Sequence, residues 1–405
     1  MNRTRWILLL IIAASCTAPP RPSPPTVQTR PVVAGYLAGW GVRSKGTNIV
    51  GLPSELTHVI YAFARVGDDG RAALGDPCLD AGICGDSTAL RESPGGNFAS
   101  LAELKRRHGH LRFLIAFGGW SGSQRFSDIA VSDATRQAFV SSGVDLFIRR
   151  WPGLFDGIDV DWEYPVAGGL PENSRRPEDR RNFTLLMAEF RRQLDAQTAR
   201  DGRTYWLTAA TSAGASGIAN LELDSLARIV DWLNVMTYDY HGGQSIAHFN
   251  APLYAASNDP TPRYNVDSTI AMYRRAGMPA NKLVIGVPFY SRSYGGVPPV
   301  NDGLFQTATA AAPREWSGVP VDVKNLTRAK LDSAGFILKV HPEARAPWAY
   351  NPATGVWITF EDSASLARKA DYVRERRLGG VMIWELGGDD GRFIRLMAQR
   401  LNAAP

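Results

Sequence analysis

The sequence predicts an α/β protein built as a (β/α)8 TIM barrel with a small α+β insertion between its seventh and eighth strands. Eight short apolar or β-branched runs recur along the chain, amphipathic stretches of helical period lie between them, and one late connection is far longer than the rest. A doubly wound open sheet is the weaker alternative.

The strands are expected at residues 32–37, 57–63, 112–117, 157–161, 206–211, 232–238, 283–288 and 380–384. Helical patterns fall at 133–150, 182–197, 266–276 and 363–376. Roughly seventy residues separate Tyr290 from Ser363, too many for a plain loop in a compact domain. That span holds strand-like pieces at 336–340 and 356–360 and the aromatics Phe305, Trp316, Trp348 and Tyr350. It is therefore expected to form a subdomain over 291–362, on the C-terminal face of the barrel where barrel active sites sit.

Ahead of the first strand, Arg3 and Arg5 precede an apolar run at 6–12 and then Ala13, Ala14 and Ser15, which reads as a signal peptide over 1–15. Cys16 follows in the manner of a bacterial lipobox, although Ala13 stands where Leu is usual. Lipidation at Cys16 and cleavage nearby by the ordinary signal peptidase are both open. Cys78 and Cys84 can pair with each other in an oxidising compartment and leave Cys16 over. Residues 16–31, with Pro19, Pro20, Pro22, Pro24, Pro25 and Pro31, form an extended linker, and the catalytic body is expected over 32–405. No later stretch approaches the ~20 apolar residues that span a bilayer. The expectation is an exported protein, extracellular or anchored to the cell envelope as a lipoprotein.

With 405 residues, 44% of them hydrophobic, the chain has ample material for a large core. The formal charge of +6 is spread among acids, as over 172–200, and reads as solvated surface rather than a nucleic-acid footprint. Six histidines and three cysteines show no ligand spacing, so no metal and no cofactor are expected.

Side chains alternate along a strand, so Asp159, Asp161 and Glu163 form one inward row. Like charges in a confined site raise at least one pKa, and the retained proton then serves as an acid near neutral pH. Glu163, at the C-terminal end, is best placed to reach substrate. A buried salt-bridge network is the structural alternative, but residues 151–172 contain no Arg or Lys to pair with the row. The Asp-x-Asp spacing also suggests a calcium loop, yet the turn glycine is missing and Val160 and Trp162 favour a strand.

Asp156-Gly157-Ile158-Asp159-Val160-Asp161-Trp162-Glu163 resembles the signature of glycoside hydrolase family 18, the chitinases, position for position. Four further segments are similar to family motifs. They are Phe117-Gly118-Gly119-Trp120, with Ala116 where Ser is frequent; Met236-Thr237-Tyr238-Asp239; the run from Gly286 to Arg292 through Tyr290; and Trp384 in the last strand. Taken alone, two glycines merely permit a tight turn, a Tyr-Asp pair suits a core and a cap, and a strand tryptophan is ordinarily core.

The resemblance implies a barrel acting on chitin or chito-oligosaccharides with retention, through the substrate's own 2-acetamido group and an oxazolinium intermediate. It casts Glu163 as acid and later base, Asp161 as the partner of the acetamido N–H, Asp159 as sharing a proton with Asp161, and Tyr238 as donor to the acetamido oxygen. Tyr36, Phe63, Gly119, Trp120, Met236, Asp239, Tyr290, Arg292 and Trp384 would bind sugar, and aromatic rings suit the apolar faces of sugar rings. Asp156 lies off the row and is read as structural. No protein partner is implied, and a monomer is expected. The rivals are an endo-β-N-acetylglucosaminidase cutting N-glycans and a non-catalytic chitin-binding lectin on the same barrel.

Overall fold

The computed structural model describes residues 30–85, 93–242, 245–316 and 321–403. The signal peptide expected over 1–15, Cys16 and nearly all of the linker lie outside the described residues. In chain order the strands are β1 (Val32–Ala38), β2 (His58–Val66), a two-residue β3 (Ala72–Ala73), β4 (Arg112–Gly118), β5 (Gly157–Asp161), β6 (Trp206–Ser212), β7 (Trp232–Met236) and β8 (Leu283–Pro288). After them come β9 (Arg292–Tyr294), β10 (Ile337–Val340), β11 (Pro347–Asn351), β12 (Val356–Thr359) and β13 (Gly380–Trp384).

The parallel order β1-β13-β8-β7-β6-β5-β4-β2 is closed by a further β1–β2 pairing, so the eight expected strands form a barrel and the open-sheet alternative is excluded. Alternation along each strand divides the side chains into two sets. One set points inward and packs Ala34, Tyr36, Ile60, Leu114, Ala116, Met236, Val284 and Met382 into the barrel interior. The other, including Val33, Val59, Phe113, Ile115, Val160, Leu207 and Val235, packs with Phe98, Phe139, Phe190 and Leu366 of the surrounding helices. Long helices such as Asp179–Asp201 and Ser363–Glu375 bury one face against this outer set, the second opening on an Asp362–Ser365 capping box.

Two expectations need correction. The helical pattern at 133–150 is a helix over Asp133–Gly143 that widens into a π-helical stretch over Val144–Arg149. The strand expected to reach Tyr238 stops at Met236, because Thr237 and Tyr238 donate to the carbonyls of Val235 and Met236 two residues back and leave the ladder. The insertion is, as expected, a small α+β unit, a four-stranded antiparallel sheet, β10-β11-β12-β9, with a helix at Arg328–Ser333. Its core of Val297, Leu304, Trp348, Tyr350 and Trp357 is completed by Ala247, Phe249 and Ala256 from the loop after β7. Among the described residues, no helix is long and apolar enough to cross a membrane.

Candidate active site

All eight parallel strands point their C-terminal ends at one face, and a cavity of about 1030 Å³ opens there. Its wall includes Tyr36, Phe63, Trp120, Asp161, Glu163, Met236, Tyr238, Asp239, Arg292 and Trp384, nearly the whole set expected to meet substrate. The fold also brings in residues the sequence reading passed over: Trp40, Arg65, Asp76, Tyr164 and Tyr264. Trp40 and Tyr264 are exposed ring faces on loops, where no period marks which way a side chain points.

Asp159 and Asp161 lie in β5 as alternation requires, Glu163 follows two residues beyond the end of that strand, and the three sit in different surroundings. Asp159 is fully buried and both its oxygens are engaged: Oδ2 accepts from Tyr36 Oη at 2.7 Å, and Oδ1 from Thr208 Oγ1 at 2.5 Å and Asn234 Nδ2 at 3.1 Å. Burial raises its pKa to about 6, and these three donors hold it from rising further. Asp161 is buried with Oδ1 accepting no hydrogen bond from the protein. Burial first, then the charges of Glu163 and Asp159, push its pKa well above the usual carboxylate range. Asp159 is anchored to β1, β6 and β7 by these donors, and its charge is one of the causes that raise Asp161. Glu163, 8% exposed at the cavity floor, is raised to about 7, chiefly by burial, with a hydrogen bond from Tyr164 opposing the rise and the Asp239 charge adding to it. Among the described residues no ion pair is formed by any of the three; Asp156, off the row, takes Lys105 Nζ at 2.5 Å and the Phe113 N–H at 2.8 Å.

The backbone beneath Glu163 is fixed by β4. Gly119 N–H donates to the Asp161 carbonyl at 2.9 Å, Ser123 Oγ accepts from Glu163 N–H at 2.9 Å, and Asn173 Nδ2 donates to the Glu163 carbonyl at 2.8 Å. Both glycines are demanded by close approach. At Gly118 (φ 111°) a Cβ would stand 2.2 Å from the Asp161 carbonyl oxygen, and at Gly119 (φ 76°) 2.5 Å from the Phe63 ring. Gly119 is thus a support behind Phe63 and is absent from the described cavity wall, where the sequence reading had placed it with the sugar-binding residues.

On the opposite side, Asp239 adopts φ 56° and gathers Tyr290 and Arg292. Its Oδ1 accepts from Tyr290 Oη at 2.6 Å and from Arg292 Nη2 at 2.7 Å, while its N–H donates to Asn250 Oδ1 at 2.9 Å. Tyr290 lies behind this pair, its ring 6.2 Å from that of Tyr238, and not on the described wall. Gly286 lets Tyr238 settle flat on β8, since a Cβ there would lie 2.6 Å from the tyrosine ring. Among the described wall residues, Arg292 is the insertion's contribution; Trp348 and Tyr350 turn into the insertion's own core. Trp384 stacks with Phe63 at 5.8 Å and tilts against Tyr36 at 5.5 Å, and Trp40 continues the ring path 6.3 Å from Phe63. Cys78 and Cys84 are joined by a disulfide. Among the described residues, no group of three or more His, Cys, Asp or Glu is arranged to hold a metal ion.

A buried proton-holding carboxylate at the end of a barrel strand, walled by aromatic rings, is equipped for acid catalysis on a ligand with flat apolar faces and many hydroxyls. Known proteins agree with that reading. Chitinase A1 of Niallia circulans is 37% identical over 402 residues, covering 90% of this chain, which spans 57% of that relative's length. The solved structure of chitinase ChiA74 from Bacillus thuringiensis superposes with a TM-score of 0.84 at 31% identity, covering 92% of this chain and 70% of that one. A family 18 N-acetylglucosaminidase from Paenibacillus barengoltzii superposes at 0.76 with 34% identity, covering 91% and 99%. Residues 32–389, from the first barrel strand past the last, match the family described as glycosyl hydrolases family 18, and to that family the chain belongs.

Proposed function

We propose that the protein is a chitinase, hydrolysing β-1,4 linkages between N-acetylglucosamine units with retention and with the substrate's acetamido group as nucleophile. The observation that carries this is the row Asp159–Asp161–Glu163, which forms no ion pair among the described residues and ends in a carboxyl raised to about 7 on the floor of an aromatic cleft.

Glu163 gives its proton to the glycosidic oxygen as that oxygen's bond to the anomeric carbon breaks, and the acetamido carbonyl oxygen bonds to the same carbon from the other face. Asp161, with a buried oxygen that no protein donor occupies, accepts the acetamido N–H and balances the charge of the oxazolinium ring. Tyr238 donates to the acetamido oxygen. Asp159, held by three donors, keeps negative charge beneath Asp161. Water then attacks the anomeric carbon as its bond to the acetamido oxygen breaks, Glu163 takes the water's proton, and both the acetamido group and the acid are restored.

The glucosaminidase among the solved relatives supports a second reading, release of single sugars from short oligomers. The product pattern from chitin hexamer over time separates the two: disaccharides and longer fragments support the chitinase, single sugars from the first turnover the glucosaminidase. Comparable hydrolysis of cellulose hexamer would overturn the acetamido mechanism. Release of a high-mannose glycan from a glycoprotein in preference to chitin would instead favour the N-glycan reading. Glu163→Gln should lower turnover by roughly 10²–10⁴-fold with oligomer binding intact; equal turnover would remove Glu163 as the acid.

We further propose export through residues 1–15 and lipidation at Cys16. The sequence of that segment supports both, and metabolic labelling with a radioactive fatty acid tests the second, the label being lost in Cys16→Ala.

A further inference from the structure

One wall of the cleft is built outside the catalytic motifs. After the β2–β3 hairpin, the chain forms a five-residue helix, Pro77–Ala81, capped by Asp76 Oδ1 accepting from Leu79 N–H at 2.9 Å and ended by Gly82 at φ 71°. Gly75, Asp76, Leu79 and Asp80 of this turn line the cavity beside Phe63 and Trp40. A helix this short has no stability of its own and is held by what surrounds it. The Cys78–Cys84 disulfide closes it on one side. On the other, Asp80, 4% exposed, accepts from Asp76 N–H at 2.9 Å and from Tyr61 Oη at 2.5 Å. Tyr61 Oη in turn accepts from Asn97 Nδ2 at 2.9 Å, and the same Nδ2 donates to the Gly39 carbonyl at 3.0 Å, next to Trp40. A buried chain therefore runs from the disulfide-closed turn, across β2, to the loop that presents Trp40.

We infer that Asp80 is a positioning residue for the substrate-binding wall, held in register by the Cys78–Cys84 disulfide and acting on Trp40 through Tyr61, Asn97 and Gly39. This rests on the chito-oligosaccharide reading of the cleft. Asp161 ends β5 and Glu163 follows it by two residues, and neither takes part in these hydrogen bonds, so breaking them changes the grip on a long substrate and leaves the chemistry alone. The rings Trp384, Phe63 and Trp40 follow one another at 5.8 and 6.3 Å, and a hexamer is taken to cover more of this path, and more of the wall beside it, than an aryl chitobioside.

The test compares chitin hexamer with an aryl chitobioside in the full chain, in Cys78→Ser/Cys84→Ser, in Asp80→Ala and in Asp80→Asn. The disulfide variant, whose cysteines lie outside the described cavity wall, should raise KM for the hexamer about five-fold, the scale of one ordinary hydrogen bond, with kcat and KM for the chitobioside unchanged, and Asp80→Ala should raise the hexamer KM by at least as much. Combining them should add little, since both act on one wall, and Asp80→Asn, which keeps an acceptor for Tyr61, should recover most of the loss. Unchanged hexamer KM in the disulfide variant overturns the inference, as does an equal loss on both substrates. Should the wild type hydrolyse neither, the proposed function fails by itself. Hexamer affinity by calorimetry, in wild type against the same variants, still decides the wall.

Discussion

Glu163 and Asp159 hold their protons more tightly in the folded chain than in the unfolded one, and the consequence for stability has a definite sign. A raised carboxyl pKa favours the folded state below the unfolded value of ~4, and that contribution is lost as pH rises through about 6 for Asp159 and about 7 for Glu163. Glu163→Gln should therefore match the wild type in urea at about pH 4 and exceed it at about pH 8, by something on the order of 1–3 kcal/mol. A variant less stable than wild type at the higher pH would show that the ionised glutamate is compensated after all. The same proton sets activity: kcat/KM should fall as pH rises through about 7, where the acid is lost. The start of the carboxylate row was legible in the sequence because strand alternation alone places Asp159 and Asp161 on one face of β5. Ser123 and Asn173, which fix the Glu163 backbone, were not legible: each is a common polar residue in a loop, brought to Glu163 only by the path of the chain.

Among elements, the end of β4 shows how a glycine outside the described cavity wall acts through its neighbour. Gly118 and Gly119 both have positive φ and no room for a Cβ, so Gly119→Ala combines backbone strain of about 1–3 kcal/mol with displacement of Phe63. Phe63 stacks on Trp384, and the change should thus raise KM for chitin hexamer while the alkaline limb of the pH profile stays where it is. A shifted limb would mean that β4 also sets the Glu163 environment. Strand positions were readable because parallel barrel strands are buried on both sides and stand out as apolar runs. The ends of elements were less so. Nothing local in Met236-Thr237-Tyr238 announces that the ladder stops at Met236; the stop depends on Thr237 Oγ1 reaching the Gly286 carbonyl at 2.7 Å on β8.

Across the whole molecule, the insertion is tied to the barrel by two lysines that the sequence could not single out among the chain's 45 basic residues. Lys45, after β1, bridges Asp322 of the insertion at 2.7 Å and Glu385 after β13 at 2.6 Å. Lys369, 1% exposed on the helix Ser363–Glu375, pairs with Glu361 at the insertion's return and donates to the Ala251 carbonyl at 2.7 Å, on the loop that completes the insertion's core. Removing one partner of a buried pair strands the other charge, which costs more than the pair itself contributes. Lys369→Met leaves Glu361 buried with Ser365 as its remaining hydrogen-bond donor and is expected to lower stability by about 3–5 kcal/mol. Adding Glu361→Gln removes the stranded charge, so Lys369→Met/Glu361→Gln should recover most of that loss in urea unfolding. Because Arg292 enters the cleft from β9, the single variant should also weaken hexamer binding and the double restore it. A double variant as unstable as the single would show that the lysine acts through its packing and its bond to Ala251, and not through the charge of Glu361.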